Sequence, residues 1–146
     1  MIRRLLFSVI VCGLALGLAA CGAPPPDLSV PDPPGATFYE QTQNEHLDRL
    51  IAAFDGGLQD VLVQQGFAVK KRQRLSTAAS VGAVEQFYTD ELLNRGWEPV
   101  PSGLPDGNTR TLLAFQKSNV LLVVAAFDAA PYFGQGVVIY TLQATK

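Results

Sequence analysis

Six of the fourteen residues from 22 to 35 are proline: Pro24, Pro25, Pro26, Pro31, Pro33 and Pro34. Proline fixes φ and has no amide proton to donate, so such a run joins neither a helix interior nor a central strand. It therefore cuts the 146-residue chain in two. Whatever folds must be built from residues 36–146, which is about the length of one ordinary domain. Residues 21–35 themselves are expected to form an extended, unstructured spacer, rising about 3.1 Å per residue and reaching at most about 40 Å.

The segment before the prolines has a different character. Arg3 and Arg4 give a positive start, residues 5–16 are apolar and uncharged, and Leu18-Ala19-Ala20-Cys21 closes the run with small residues and a thiol. A basic n-region, an apolar h-region and a small-residue cleavage site describe an export signal. The apolar run is short of the roughly 20 residues that a spanning helix needs. With the thiol at the cleavage point, the segment resembles the lipobox of bacterial lipoprotein precursors. That resemblance implies attack of the Cys21 thiolate on a diacylglycerol donor, cleavage between Ala20 and Cys21, and acylation of the new amine. One acyl chain gives only marginal membrane binding, so a multiply acylated cysteine is what makes such an anchor persist. The expected location is the outer side of a cell membrane, held there by lipid.

Composition agrees with export. Cys12 lies in the segment to be removed, which leaves Cys21 as the one mature cysteine. No disulfide within the mature chain and no cysteine-based metal site can then form. Without Arg3 and Arg4 the chain carries nine basic and thirteen acidic side chains, a net of −4. This mild negative balance argues against a nucleic-acid partner.

In the domain, Leu47, Leu50, Ile51, Phe54, Leu58, Val61 and Leu62 recur at helical spacing and predict a helix over 44–65. Asn44 is its expected N-cap and Gly66 its stop. Gly56 and Gly57 interrupt the pattern without changing its phase, which favours one bent or strained helix over two. A strand is expected over 67–75. A second helix runs from the Ser76, Thr77 and Ser80 region to about Arg95, burying Val84, Phe87, Tyr88 and Leu92. Shorter strand patterns follow at 97–100, 109–116, 120–127 and 136–144, with a sharp turn at Asp106-Gly107. Helical units first and strands after them predict an α+β fold. The expectation is a two-layer architecture, a mostly antiparallel sheet of about four to five strands packed by two helices. Residues 121–127 are apolar on both strand faces. If both helices share one face, the other needs a cover from the N-terminal segment, a second subunit or a partner.

Val84, Phe87, Tyr88, Leu92 and Gly96-Trp97, followed by a strand-rich tail, resemble small surface lipoproteins whose helix ends in Leu-x-x-x-Gly-Trp. The resemblance spans roughly residues 75–145. It implies core roles for these side chains and carries over no functional residue.

The side-chain inventory is poor for chemistry. Nucleophilic catalysis needs a Ser, Thr or Cys held beside a base. The one histidine, His46, sits among Glu45 and Asp48 at a helix start and reads as a surface residue. Asp90 and Glu91 are adjacent on a helix and diverge, while Asp106 and Asp128 fall in loops. No catalytic residue, cofactor or metal is therefore expected. Two features stand out instead. Lys70, Arg72 and Arg74 would form a positive row on one strand face. It is a candidate contact for lipid headgroups or an anionic wall polymer, or simply a charged guard on a strand edge. Tyr132 and Phe133, in the 128–136 loop, are candidate contacts for a partner or ligand. The expectation is a non-enzymatic binding or scaffolding lipoprotein whose partner is an envelope protein or polymer. A small-ligand sensor or transport accessory using the 128–136 loop comes second, and a small hydrolase third.

Overall fold

The computed structural model describes residues 24–41, 43–101 and 110–146. Ala20, Cys21 and the Asp106-Gly107 turn lie outside the described residues. The elements run β1 (Thr37–Phe38), α1 (Glu45–Gln64), β2 (Ala68–Thr77), α2 (Val81–Asn94), β3 (Glu98–Pro99), β4 (Arg110–Lys117), β5 (Val120–Asp128), α3 (Ala130–Phe133) and β6 (Val137–Thr145). Six strands make one antiparallel sheet in the order β1-β2-β6-β5-β4-β3. The α+β class and the antiparallel sheet are as expected, with two short edge strands bringing the strand number above the expected one.

Local signals account for the helix limits. The Asn44 side chain accepts from the amides of His46 and Leu47, both at 3.1 Å, satisfying donors that α1 leaves open. Ser80 does the same for the amide of Ala83 at 3.2 Å. Gly66 and Gly96, both at positive φ, follow the two helices. Helix α1 is continuous through Gly56 and Gly57. Its apolar stripe supplies enough packing to offset the roughly 1 kcal/mol each glycine costs in a helix interior.

The two helices divide between the sheet faces, so the expectation that they share one face gives way. Ile51, Phe54, Leu58 and Leu62 of α1 pack with Val123, Ala125, Phe127, Tyr140 and Leu142. Val84, Tyr88 and Leu92 of α2, with Trp97, pack with the alternate residues Leu122, Val124, Ala126 and Ile139. Strands β5 and β6 are thus buried on both sides. That is why their sequences are apolar at both parities.

Helix α2 covers only part of its face, and the N-terminal segment covers more. Leu28, Val30 and Ala36 pack against the α2-side core, and Pro33 is buried. Gln143 Nε2 donates to the carbonyl of Leu28 at 2.8 Å, and Gln73 Nε2 to Asp32 at 3.1 Å. Lys117 Nζ donates to the carbonyls of Asp27 at 2.9 Å and Arg95 at 2.5 Å. Arg95 also donates to the Ser29 hydroxyl at 3.1 Å. The spacer expected over residues 21–35 is therefore held against the domain from Asp27 onward. Its described backbone, residues 24–35, forms no helix and no strand, as its prolines require, but apolar side chains between the prolines find a surface to cover.

Candidate functional site

The sheet has two ends, and the pairing register identifies them. At one end Thr77, Val137 and Asp128 lie in one row across β2, β6 and β5. Here β1, the α1 N-terminus, the α3 turn and the β2–α2 connection converge around an open cleft of about 320 Å³. Thr37, Ser76 and Thr77 bring hydroxyls to its wall, Gln43 and Gln135 bring amides, and Phe133 brings an aromatic ring. The Thr37 and Ser76 hydroxyls lie 3.2 Å apart in a hydrogen bond across β1 and β2. Among the described residues, none lining the cleft carries a charged side chain. A second groove shares Gln135 and Gly136 with it and runs past Ser80 and Asp128.

Gly136 shapes this cleft. Its φ is +92°, and a Cβ there would lie 2.6 Å from the Thr77 carbonyl oxygen. Only glycine lets the α3 turn approach β2 so closely. Gly136→Ala is expected to lose about 2 kcal/mol of stability through strain and displaced backbone. Chemical denaturation would measure it, and a loss under about 0.5 kcal/mol, the scale of an ordinary surface substitution, would show that the turn relaxes freely.

The two loop aromatics have separate fates. Tyr132 turns inward, packs on the α1-side core and tilts against the His46 ring at 5.6 Å between centroids. Phe133 stays 44% exposed at the cleft. Asp128 caps the turn between them and the sheet by accepting from the amide of Ala130 at 3.0 Å.

The expected positive row is not formed. A β-bulge between Val69 and Lys71 breaks the alternation of β2. Val69 thereby joins Arg72 and Arg74 on the α1 side, and Lys70 sits at the bulge itself. Arg72 donates to Asp55 at 2.8 Å and to Gln59 at 2.5 Å. Arg74 is half-buried opposite Tyr140. These two arginines line a polar seam between α1 and the sheet and leave Lys70 apart.

Asp55 is the centre of that seam. It accepts from the Tyr140 hydroxyl and from Arg72. Burial would raise its pKa, but hydrogen bonds from Tyr140 and Arg72 outweigh burial and hold the carboxyl below its ordinary value. Burial, followed by the bond to Asp55, pushes the Tyr140 hydroxyl up. Tyr39 belongs to both seam and cleft. Burial, then the neighbouring Asp48 carboxylate, pushes its pKa up to about 12. Sequence reasoning missed Asp55, although a signal was present. Ile51, Asp55 and Gln59 follow one another at four-residue steps along the edge of the apolar stripe, a line suited to meeting cations on a strand beneath.

Among the described residues, no group of three or more His, Cys, Asp or Glu side chains is placed to hold a metal ion. No described helix is long and apolar enough to cross a membrane. No family model, curated protein or solved structure matches this chain.

Proposed function

We propose that this chain is the precursor of an envelope lipoprotein, acylated at Cys21 and carrying a non-enzymatic binding or scaffolding domain outside the membrane. The observation that carries this reading is the basic, apolar and small-residue order of residues 1–20 ending at Cys21. The cleft between β1, β2, α1 and α3 supports a binding role, because it gathers uncharged donors and acceptors beside an exposed aromatic ring. The physiological partner is an envelope protein or polymer. In cells fed radioactive palmitate, the wild-type chain should take up label and sediment with membranes. Cys21→Ala should be unlabelled and keep its leader. Equal labelling of the two would end the proposal.

A second reading, a small-ligand accessory, is favoured by one particular observation. The 128–136 loop places Phe133 and Gln135 on the cleft wall. With no charged lining, the ligand would be neutral and rich in hydrogen-bonding groups, held by hydroxyls and amides around an apolar body. A thermal-shift screen of neutral sugars and short peptides would test it. A hit whose shift survives Phe133→Ala and Gln135→Ala would move the ligand elsewhere.

A further inference from the structure

The end of the sheet opposite the cleft gathers a different set of residues. Lys117 of β4 pairs with Val120 of β5, Val120 with Thr145 of β6, and Thr145 with Ala68 of β2. This row marks the far end of the domain, and both α1 and α2 finish there. Lys70 and Lys71 stand two and three residues along β2, and Lys146 follows β6 directly. Both lysines of β2 are exposed. Lys146 Nζ lies 5.0 Å from the Phe67 ring centroid, and Val63, in the last turn of α1, is 62% exposed. Leu93, in the last turn of α2, is 45% exposed. Exposed cations and apolar side chains thus share one end of the domain.

The acidic groups nearby are mostly engaged or set apart. Asp27 accepts from the amide of Ser29, and Glu91 pairs with Arg95. Asp60 lies one turn back on α1, and Glu98 begins the edge strand on the far side of the sheet. The corner of Lys70, Lys71 and Lys146 is cationic.

The N-terminal segment is pinned at this same end. Lys117 holds the carbonyl of Asp27, and Arg95 holds Ser29. Only six peptide steps separate Asp27 from Cys21, a span of at most about 20 Å when fully extended. The cleft end lies eight residues away along β6, about 26 Å at the rise of a strand. An acyl group at Cys21 would draw the lysine end to the bilayer and leave the cleft remote from it.

We propose that the end bearing Lys70, Lys71 and Lys146 is the membrane-facing surface of the domain, docked on anionic phospholipid headgroups, with the cleft turned away from the bilayer. Headgroup attraction acts within about a Debye length of the surface, roughly 8–10 Å at physiological salt, and a leash of at most about 20 Å lets the lysine end come that close. Val63 and Phe67 lie among the lysines as the apolar contacts of an interfacial surface. This inference rests on acylation at Cys21.

The test uses the full lipidated protein in phosphatidylethanolamine vesicles containing phosphatidylglycerol. A fluorophore is placed at Gln64→Cys, beside the lysine corner, or at Gln135→Cys, on the cleft. Quenching by headgroup spin-labelled lipid is then read. Cys21, being acylated, does not compete for the label. Gln64→Cys should be quenched several-fold more than Gln135→Cys. The difference should shrink with Lys70→Gln, Lys71→Gln and Lys146→Gln combined, and in raised salt. Equal quenching at both positions, or a difference untouched by the lysine replacements, overturns the proposal. Failure of the protein to float with vesicles overturns the anchor, and the orientation with it. Flotation with equal quenching overturns the orientation alone.

Discussion

Trp97→Ala is expected to cost about 3–5 kcal/mol, the range for truncating a fully buried large aromatic side chain. Trp97 is 1% exposed and joins the α2-side core with Tyr88, Leu92, Phe115 and Leu122. Its amide donates to the Leu92 carbonyl at 2.9 Å, closing the end of α2 just where β3 begins. The side chain therefore fills the angle between a helix end and an edge strand. Neither element can collapse into the space it leaves without losing its own contacts. Natural domains hold only about 5–15 kcal/mol in total, so the variant should be close to unfolding at room temperature. Urea titration followed by circular dichroism would measure it, since the variant loses the chain's one tryptophan. Trp97→Phe should recover a large part of the loss. A cost below about 1 kcal/mol for Trp97→Ala, no more than an average point substitution, would show that this corner is not part of the core.

Asp55→Ala is expected to destabilise by about 2 kcal/mol, because it strands the buried Tyr140 hydroxyl and takes one of two acceptors from Arg72, which keeps Gln59. The figure sits below that for fully buried pairs, since the Asp55 and Arg72 side chains remain 23% and 37% exposed. The same residue sets a pH dependence. Its carboxyl titrates lower in the folded chain than its ordinary value near 3.8. The stabilisation it gives is complete above that ordinary value and is lost as pH falls through the folded-state pKa. The stability gap between wild type and Asp55→Ala should therefore be constant near neutrality and narrow below about pH 4. A gap that stays constant through pH 3 would contradict the assigned network. Tyr140→Phe separates the parts. It keeps the ring that meets Phe54 edge-on at 5.6 Å and removes only the hydroxyl donor.

Much of the fold was readable from spacing and caps. The α1 stripe, Asn44 and Gly66 set the first helix within a residue of its observed limits, and Gly96 set the end of the second, whose start was left open between Ser76 and Ser80 and falls at Ser80. The apolar run from 120 to 127 announced a central strand. Its apolar character on both faces also required a cover on each side of the sheet, which α1 supplies on one and α2 with the N-terminal segment on the other. Three features escaped for a common physical reason: each depends on a partner distant in sequence. The β2 bulge is defined by the register with β6, some seventy residues away. The docking of Leu28 and Val30 was one of three covers the sequence left open, and choosing among them depends on how much of the face α2 leaves bare. The Asp55 seam needs a helix edge and a strand to meet, which local periodicity does not encode. Of the two loop aromatics, whose exposure the sequence left open, Phe133 is exposed at the cleft, while Tyr132 packs inward beside His46 and the α1-side core. The Lys70, Arg72 and Arg74 row rested on strict alternation, and one extra residue in the strand dissolved it.

Were the chain anchored as proposed, the two borders of the sheet would bear on how its copies meet in the plane of the bilayer. Polypeptides confined to a plane meet their neighbours far more often than they do in solution, and a long bare ladder would invite them to polymerise. Here β1 and β3 are each two residues long, β3 ends in Pro99, and the border of β2 left uncovered by β1 contains the kink at Lys70. A short cap, a missing donor and a kink all spoil templated strand addition. Strand addition between neighbouring copies is thus disfavoured at these borders.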